Sequence, residues 1–180
     1  MTDNQIKQLA IKFRKAIEIA HQKGLFSHDI ALDDFPTGSC GDVSYLLAEY
    51  LKRSGIETIW YSAQRRDWSH AWLVVKDGRV HEPTPRMFSW PDELRSVVAR
   101  YGVEHPEEKV ELRNYEAKDL QDGLMVDITA DQFDDYDIPV YVGGMDAFHR
   151  TFEFRQAHDY DGLVGDGRLV SLYEMIEKYI

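Results

Sequence analysis

The spacing of apolar residues changes along the chain from a helical to a strand-like period, and this order restricts the possible folds more than any other feature. Apolar residues recur at helical spacing in residues 4–23 and again in residues 40–53. Short segments rich in β-branched and aromatic residues follow, at residues 56–62, 71–75, 124–128 and 138–142. Helices followed mainly by strands, without regular alternation, favour an α+β fold with an antiparallel sheet.

The Asp77-Gly78 dipeptide is a strong turn signal in the strand-rich part of the chain. A two-residue turn of this type predicts a hairpin, in which residues 79–81 return as a third strand beside residues 71–75. Residues 91–101 predict a further helix, because acidic residues occupy its first turn and apolar residues follow at helical spacing. No repeat or linker interrupts the pattern, so we expect a single domain over residues 1–180.

Composition excludes several classes of protein. The chain has 180 residues, of which 43% are hydrophobic, enough for a buried core and inconsistent with disorder. With 21 basic and 32 acidic residues, the net charge of −11 argues against nucleic acid or an anionic membrane as a partner. No apolar run has a membrane-spanning length, and the polar amino terminus lacks the pattern of a secretion signal, so we expect a cytoplasmic protein without membrane contact.

The single cysteine, Cys40, limits the chemistry in a different way. One cysteine cannot form an internal disulfide or a cysteine-rich zinc site, and the chain has no His-Glu-x-x-His motif, so we expect neither a metal nor a cofactor. Cys40 begins a helical pattern, where free N–H groups can bind an oxyanion and can lower a thiol pKa to about 3.5–7.5. The position suits a nucleophile, although a small buried residue would suit it too.

A cysteine nucleophile needs a base, and the chain offers seven histidines. His70 is the candidate because it stands at the start of a strand-like segment. Strand alternation places His70, Trp72 and Val74 on one face, and packing of that face on the cysteine helix would bring the imidazole to Cys40. His149 lies among aromatic residues and is interpreted as a structural histidine. The remaining histidines are predicted to be solvated or to lie at the ends of elements.

Two acidic residues are candidates to orient His70. Asp127 lies at the end of an apolar strand, whereas Glu82 lies on the predicted returning arm of the Asp77-Gly78 hairpin. With a two-residue turn, Leu73 opposes Glu82, so Glu82 points to the face away from His70 unless a one-residue bulge reverses the register. We therefore favour Asp127 and keep Glu82 as the alternative.

Together these residues resemble the transglutaminase-like branch of the papain-like fold. The motifs are Gly38-Ser39-Cys40-Gly41 at a helix start, Ser69-His70-Ala71-Trp72 on a strand and Val126-Asp127-Ile128-Thr129 on a later strand. The resemblance covers residues 36–133 and implies a papain-like α+β core, in which the nucleophile helix packs on an antiparallel sheet. It also implies a Cys-His-Asp triad, with Cys40 attacking an amide carbonyl, His70 moving protons and Asp127 orienting His70.

The chain departs from the family pattern in the separation of His70 and Asp127, which is 57 positions. In many relatives the acid follows the histidine within a hairpin, near the place of Glu82-Pro83-Thr84 in this sequence. The departure keeps Glu82 as a possible third member of the triad. It also predicts an insertion at about residues 84–122.

The resemblance predicts a cysteine-dependent hydrolase or acyltransferase that acts on an amide bond of a peptide or protein. Water would resolve the thioester in a peptidase, amidase or glutamine deamidase, and an amine would resolve it in a transglutaminase. Gln64, before the His70 strand, is either an oxyanion donor or an ordinary surface residue. The alternatives are a non-catalytic binding module that keeps the fold, or a protein that binds a basic partner through residues 131–137. Neither the substrate nor the oligomeric state follows from the sequence.

Overall fold

In the computed structural model, residues 1–83, 85–101, 104–112, 114–163 and 165–180 are described. The α-helices are α1 (Asp3–Gln22), α2 (Cys40–Arg53), α3 (Asp92–Arg100), α4 (Ala117–Leu120) and α5 (Gly167–Glu177). The strands are β1 (Thr58–Arg65), β2 (Trp68–Val75), β3 (Arg86–Phe88), β4 (Val110–Leu112), β5 (Met125–Asp127), β6 (Tyr141–Gly143) and β7 (Glu153–Asp159). Short 3-10 turns occur at Ala130–Gln132 and His149–Thr151.

Five strands form one sheet in the order β6-β5-β2-β1-β7, and every neighbouring pair is antiparallel. The prediction of an α+β fold with an antiparallel sheet is therefore confirmed. The predicted strands correspond to β1, β2, β5 and β6, with boundaries shifted by a few residues. β3 and β4 pair with each other in a separate two-stranded ladder.

Helices α1 and α2 each carry one apolar stripe and begin at residues suited to a helix start. Thr2 caps α1: its hydroxyl accepts a bond from the Gln5 N–H, and the Gln5 side chain accepts one from the Thr2 N–H. α2 begins at Cys40, as the pattern predicts, and its N-cap Ser39 makes no side-chain bond to the helix. The first N–H groups of α2 therefore have no capping side chain.

The two faces of the central strand β2 pack against different layers. Leu73 and Val75 lie in a cluster with the apolar stripes of α1, α2 and α5. Trp72 and Val74 lie in a second cluster, which contains the aromatic side chains of Tyr61, Tyr115, Phe133, Phe148 and Phe152. The face bearing His70 does not pack on the cysteine helix, the condition considered from the sequence, because α2 covers the opposite face.

The predicted hairpin at Asp77-Gly78 is also wrong. These residues do form a turn, in which the Val80 N–H donates to the Asp77 carbonyl at 3.0 Å, but residues 79–81 form no strand. β5 instead pairs with β2 and occupies the edge at which a returning arm would have to bind. Arg79 binds the carboxylates of Asp77 and Asp3, so its side chain is directed to α1.

The hairpin that the structure contains joins β1 and β2 through Arg66-Asp67. Arg66 adopts a positive φ of 56°, as such turns require. The opposite edge of β1 binds β7, whose segment has a sequence that fits neither a helical nor a strand period. A register shift between Ser62 and Ala63 in that ladder disturbs the alternation.

Between β2 and β5 the chain leaves the sheet and forms β3, α3, β4 and α4. Within the predicted insertion at about residues 84–122, residues 84, 102, 103 and 113 lie outside the described residues. None of the residues of α3 is buried, whereas Leu120 of α4 is buried beside Val74 in the aromatic cluster. Across the described ranges, no helix combines the length and apolar character needed to cross a membrane.

Candidate active site

Cys40 lies where the first turn of α2 meets one edge of β2. The ladder between β2 and β5 covers two residue pairs, nearer the other end of β2, so β5 leaves this edge unpaired at Ala71. The Ser44 hydroxyl of α2 donates to the Ala71 carbonyl at 3.1 Å. The start of α2 therefore binds this edge, and the Cys40 thiol lies near His70.

His70 binds the carboxylate of Asp127, and both side chains are almost completely buried. The distance from His70 Nε2 to Asp127 Oδ2 is 2.6 Å. The other carboxylate oxygen, Oδ1, accepts bonds from the Thr129 N–H at 2.8 Å and from the Thr129 hydroxyl at 3.2 Å. Because Thr129 holds Oδ1, the carboxylate has a defined orientation with Oδ2 facing the imidazole.

The three groups shift one another's ionisation. Burial raises the pKa of the Cys40 thiol, but the hydrogen bond and charge of His70, with a backbone N–H and Gln132, lower it below its ordinary value. Burial lowers the pKa of His70, but the charge and hydrogen bond of Asp127, followed by those of Cys40, raise it to about 9. Burial raises the pKa of Asp127, but His70 and His149 hold it well below its usual range. These shifts favour a thiolate–imidazolium pair beside an ionised carboxylate.

Gln132, which was not predicted as a site residue from the sequence, completes the polar surroundings of the thiol. Its Nε2 lies 3.2 Å from His70 Nδ1 and donates to the Thr129 carbonyl at 3.0 Å, while its Oε1 accepts from the Gly38 N–H at 3.1 Å. Its side chain is also among the groups that lower the pKa of the Cys40 thiol against the effect of burial. The available signal was a glutamine close behind the candidate acid, in the 3-10 turn after β5.

The two other candidates from the sequence lie outside this group. The Glu82 side chain is 67% exposed and its carboxylate lies 3.6 Å from Lys76 Nζ, so it does not orient His70. The Gln64 side chain donates to the Arg66 carbonyl at 2.6 Å and stabilises the β1–β2 turn. The structure thus brings together Cys40, His70 and Asp127.

His149, interpreted from the sequence as structural, belongs to the same buried network. Its Nε2 lies 3.0 Å from Asp127 Oδ2, and its Nδ1 lies 2.7 Å from Asp146 Oδ1. Ligating atoms of His70, Asp127 and His149 lie within 4.8 Å of one another, a residue set that transition metals can use. Two ligands of one tetrahedral zinc ion are about 3.3 Å apart. The 2.6 Å contact between His70 and Asp127 is shorter, and it fits a direct hydrogen bond rather than a shared ion.

An open cleft of about 1400 Å³ reaches the network at Gln132. Thr37, before α2, and Phe133, after Gln132, line the near side of the cleft. The other walls come from the β1–β2 turn and from β7 and the residues beside it, including Arg65, Arg66, Trp68, Thr151, Phe154 and Arg155. Trp68 is 64% exposed and offers an apolar surface to a bound molecule. The cleft therefore provides a binding area beside Gln132, and neither Cys40 nor His70 is among its lining residues.

Arg14 of α1 anchors the turn between Asp127 and Gln132. Its guanidinium donates to the Ile128 carbonyl and makes two bonds to the Asp131 carboxylate, at 2.9 and 2.8 Å. The Arg14 side chain is only 8% exposed, so this two-bond pair is largely shielded from water. Asp131 is one of the residues of the acidic segment 131–137. Its carboxylate is already ion-paired with Arg14 within the chain.

Among known proteins, no family model matches the chain, and neither a curated protein nor a solved structure is significantly similar to it. The functional interpretation therefore depends on the geometry of the site itself.

Proposed function

We propose that this protein is a cysteine-dependent hydrolase or acyltransferase that acts on an amide bond of a peptide or protein. The observation that carries the proposal is the position of His70 between the Cys40 thiol, whose pKa it lowers, and the buried Asp127 carboxylate, which it binds at 2.6 Å. A cysteine with a purely structural role needs neither an imidazole nor a buried carboxylate behind it. The order of elements, with a cysteine at a helix start and an antiparallel sheet carrying His70 and Asp127, supports a papain-like, transglutaminase-like core.

In the first half of the reaction, the Cys40 thiolate attacks the amide carbon and forms a C–S bond, while the carbonyl π electrons move to oxygen. The free N–H groups at the start of α2 and the Nε2 of Gln132 are the donors placed to bind this oxyanion. When the electrons return, the C–N bond breaks and His70 gives its proton to the leaving nitrogen. Asp127 holds the ring in position and compensates its charge.

In the second half, neutral His70 accepts a proton from the water or amine that attacks the thioester. Collapse of this second tetrahedral intermediate breaks the C–S bond and restores the thiolate, which then pairs with the protonated imidazole. Water gives hydrolysis, and an amine gives transfer of the acyl group. A free thiol of this kind persists in a reducing compartment, which supports a cytoplasmic location.

Alkylation by iodoacetamide tests the proposal without a substrate, because Cys40 is the only thiol in the chain. The lowered thiol pKa predicts fast alkylation already at about pH 6–7, and a slower reaction as the pH falls through that pKa. His70→Ala should move the profile towards an ordinary thiol, with a midpoint at about 8.5. His158→Ala, a histidine bound to Tyr45 instead, is the control and should leave the profile in place. An ordinary midpoint in the native protein would contradict the proposal.

Substrate screening then separates hydrolysis from transfer. Glutamine-containing peptides are incubated with and without a primary amine, and ammonia release, peptide cleavage and amine incorporation are measured in parallel. Cys40→Ser should abolish all three signals, since a serine hydroxyl is not ionised at neutral pH. Turnover that survives Cys40→Ser would assign the chemistry to another group.

A further inference from the structure

Two histidines face a single carboxylate oxygen at the centre of the site. Asp127 Oδ2 lies 2.6 Å from His70 Nε2 and 3.0 Å from His149 Nε2. Both rings are fully buried, and their centroids are 6.3 Å apart. His70 continues the network to Cys40, whereas His149 continues it in the opposite direction. The role of His149 is not explained by the triad.

His149 meets a second carboxylate, that of Asp146, on its other side. Asp146 Oδ1 accepts from the His149 backbone N–H at 2.9 Å and lies 2.7 Å from Nδ1 of the ring, while Oδ2 accepts from the Tyr136 hydroxyl at 2.8 Å. Burial raises the pKa of Asp146, but these bonds bring it below its ordinary value. Asp127 and Asp146 are therefore both ionised, and their oxygens can only accept hydrogen bonds.

The number of protons on His149 follows from this arrangement. A neutral imidazole has one N–H and one lone pair, so it would set the lone pair against a carboxylate oxygen at 2.7 or 3.0 Å. A doubly protonated ring donates to both carboxylates instead. The rings of Trp72, Tyr136 and Tyr141 enclose it, with centroids at 5.2, 5.6 and 5.2 Å, and their π systems are compatible with a cation.

We propose that His149 is a positively charged positioning residue, which donates to Asp127 and Asp146 together, fixes the Asp127 carboxylate and offsets part of its charge at His70. The inference rests on the proposed triad. Its consequence is that His70 holds its proton less tightly than an uncompensated Asp127 would make it, so the ring can both give a proton and take one back. The titratable groups that face His149 are Asp127, Asp146, Tyr136 and Tyr141, with His70 beyond Asp127.

The test variant is His149→Phe, which removes the charge and keeps an aromatic ring in an aromatic pocket. Loss of a positive charge about 6 Å from His70 should raise the pH at which His70 loses its proton by about two units, at an effective dielectric constant of about 20. The alkaline step of the Cys40 alkylation profile measures this shift. His158→Phe, at a histidine that packs on Tyr45 and Trp60, is the matched control and should leave the step unchanged.

Nitrogen-15 NMR of the unmodified protein gives a second measurement that needs no variant. Both ring nitrogens of His149 should carry a proton, since each faces a carboxylate oxygen. A His149 with one protonated nitrogen, or an unmoved alkaline step in folded His149→Phe, would overturn the inference. An ordinary Cys40 midpoint would instead contradict the proposed function, and the NMR measurement would still decide the charge of His149. The two failures are therefore distinguishable.

Discussion

An acidic residue suited to orient His70 lies in the segment after β2 and another at the end of β5, yet their environments are opposite. After β2, the Glu82 side chain is 67% exposed and contacts Lys76 at 3.6 Å. At the end of β5, the Asp127 side chain is 1% exposed and accepts hydrogen bonds at both carboxylate oxygens. The comparison shows that closeness along the chain does not select the partner of His70. The partner is selected by strand pairing, because the pairing of β5 with β2 brings the last residue of β5, Asp127, to the imidazole.

The largest effect should come from Asp127→Asn, at the point where β5 ends and the following turn begins. An amide cannot compensate the charge of the imidazolium, so kcat on an amide substrate should fall by about 10³–10⁴-fold. The alkylation rate of Cys40 at about pH 6–7 should fall as well, because His70 then holds its proton less well. Unchanged alkylation in a folded Asp127→Asn protein would show that this turn does not act on His70.

A smaller effect is expected from Gln132→Ala in the same turn. Loss of one donor to the oxyanion should lower kcat by about 10²-fold or more, with a weaker change in KM. Gln64→Ala is the matched control, since the Gln64 amide binds the Arg66 carbonyl in the β1–β2 turn. Equal values of kcat for the two variants would exclude Gln132 as an oxyanion donor.

The arginines that anchor the two turns should differ in their contribution to stability. Arg14→Met leaves Asp131 without its largely buried partner, so the free energy of unfolding should fall by about 3 kcal/mol. Arg79→Met breaks the pairs with Asp77 and Asp3, which are more exposed, and should cost less than about 1 kcal/mol. Urea unfolding measures both values. A larger loss for Arg79→Met would reverse the comparison.

The smallest effect should come from Glu82→Gln in the turn after β2. The exposed carboxylate contacts Lys76 and not the site, so stability should change by less than about 0.5 kcal/mol. The alkylation profile of Cys40 should coincide with that of the unmodified protein. A shifted profile would mean that Glu82, and not Asp127, acts on His70.

Features that depend on neighbouring residues could be predicted from the sequence. The start of α2 at Cys40 and the strand that bears His70 follow from helical and strand periods, which act over a few residues. The Asp77-Gly78 hairpin failed although its turn forms, because β5 occupies the edge that the returning arm would need. The Arg66-Asp67 hairpin was missed because arginine is not typical of the positive-φ position that Arg66 occupies in this turn.

From its sequence alone, the chain specifies a cysteine at a helix start, a histidine on a strand and an α+β order of elements, since these depend on local patterns of side chains. The partners of these residues depend on contacts between distant segments. Asp127 reaches His70 across 57 positions because β5 pairs with β2, and Gln132 reaches the thiol because Arg14 holds the intervening turn. His149 joins them from the turn before β7. Such contacts form only when strands pair and helices pack. The local spacing of apolar residues does not determine which distant segments come into contact.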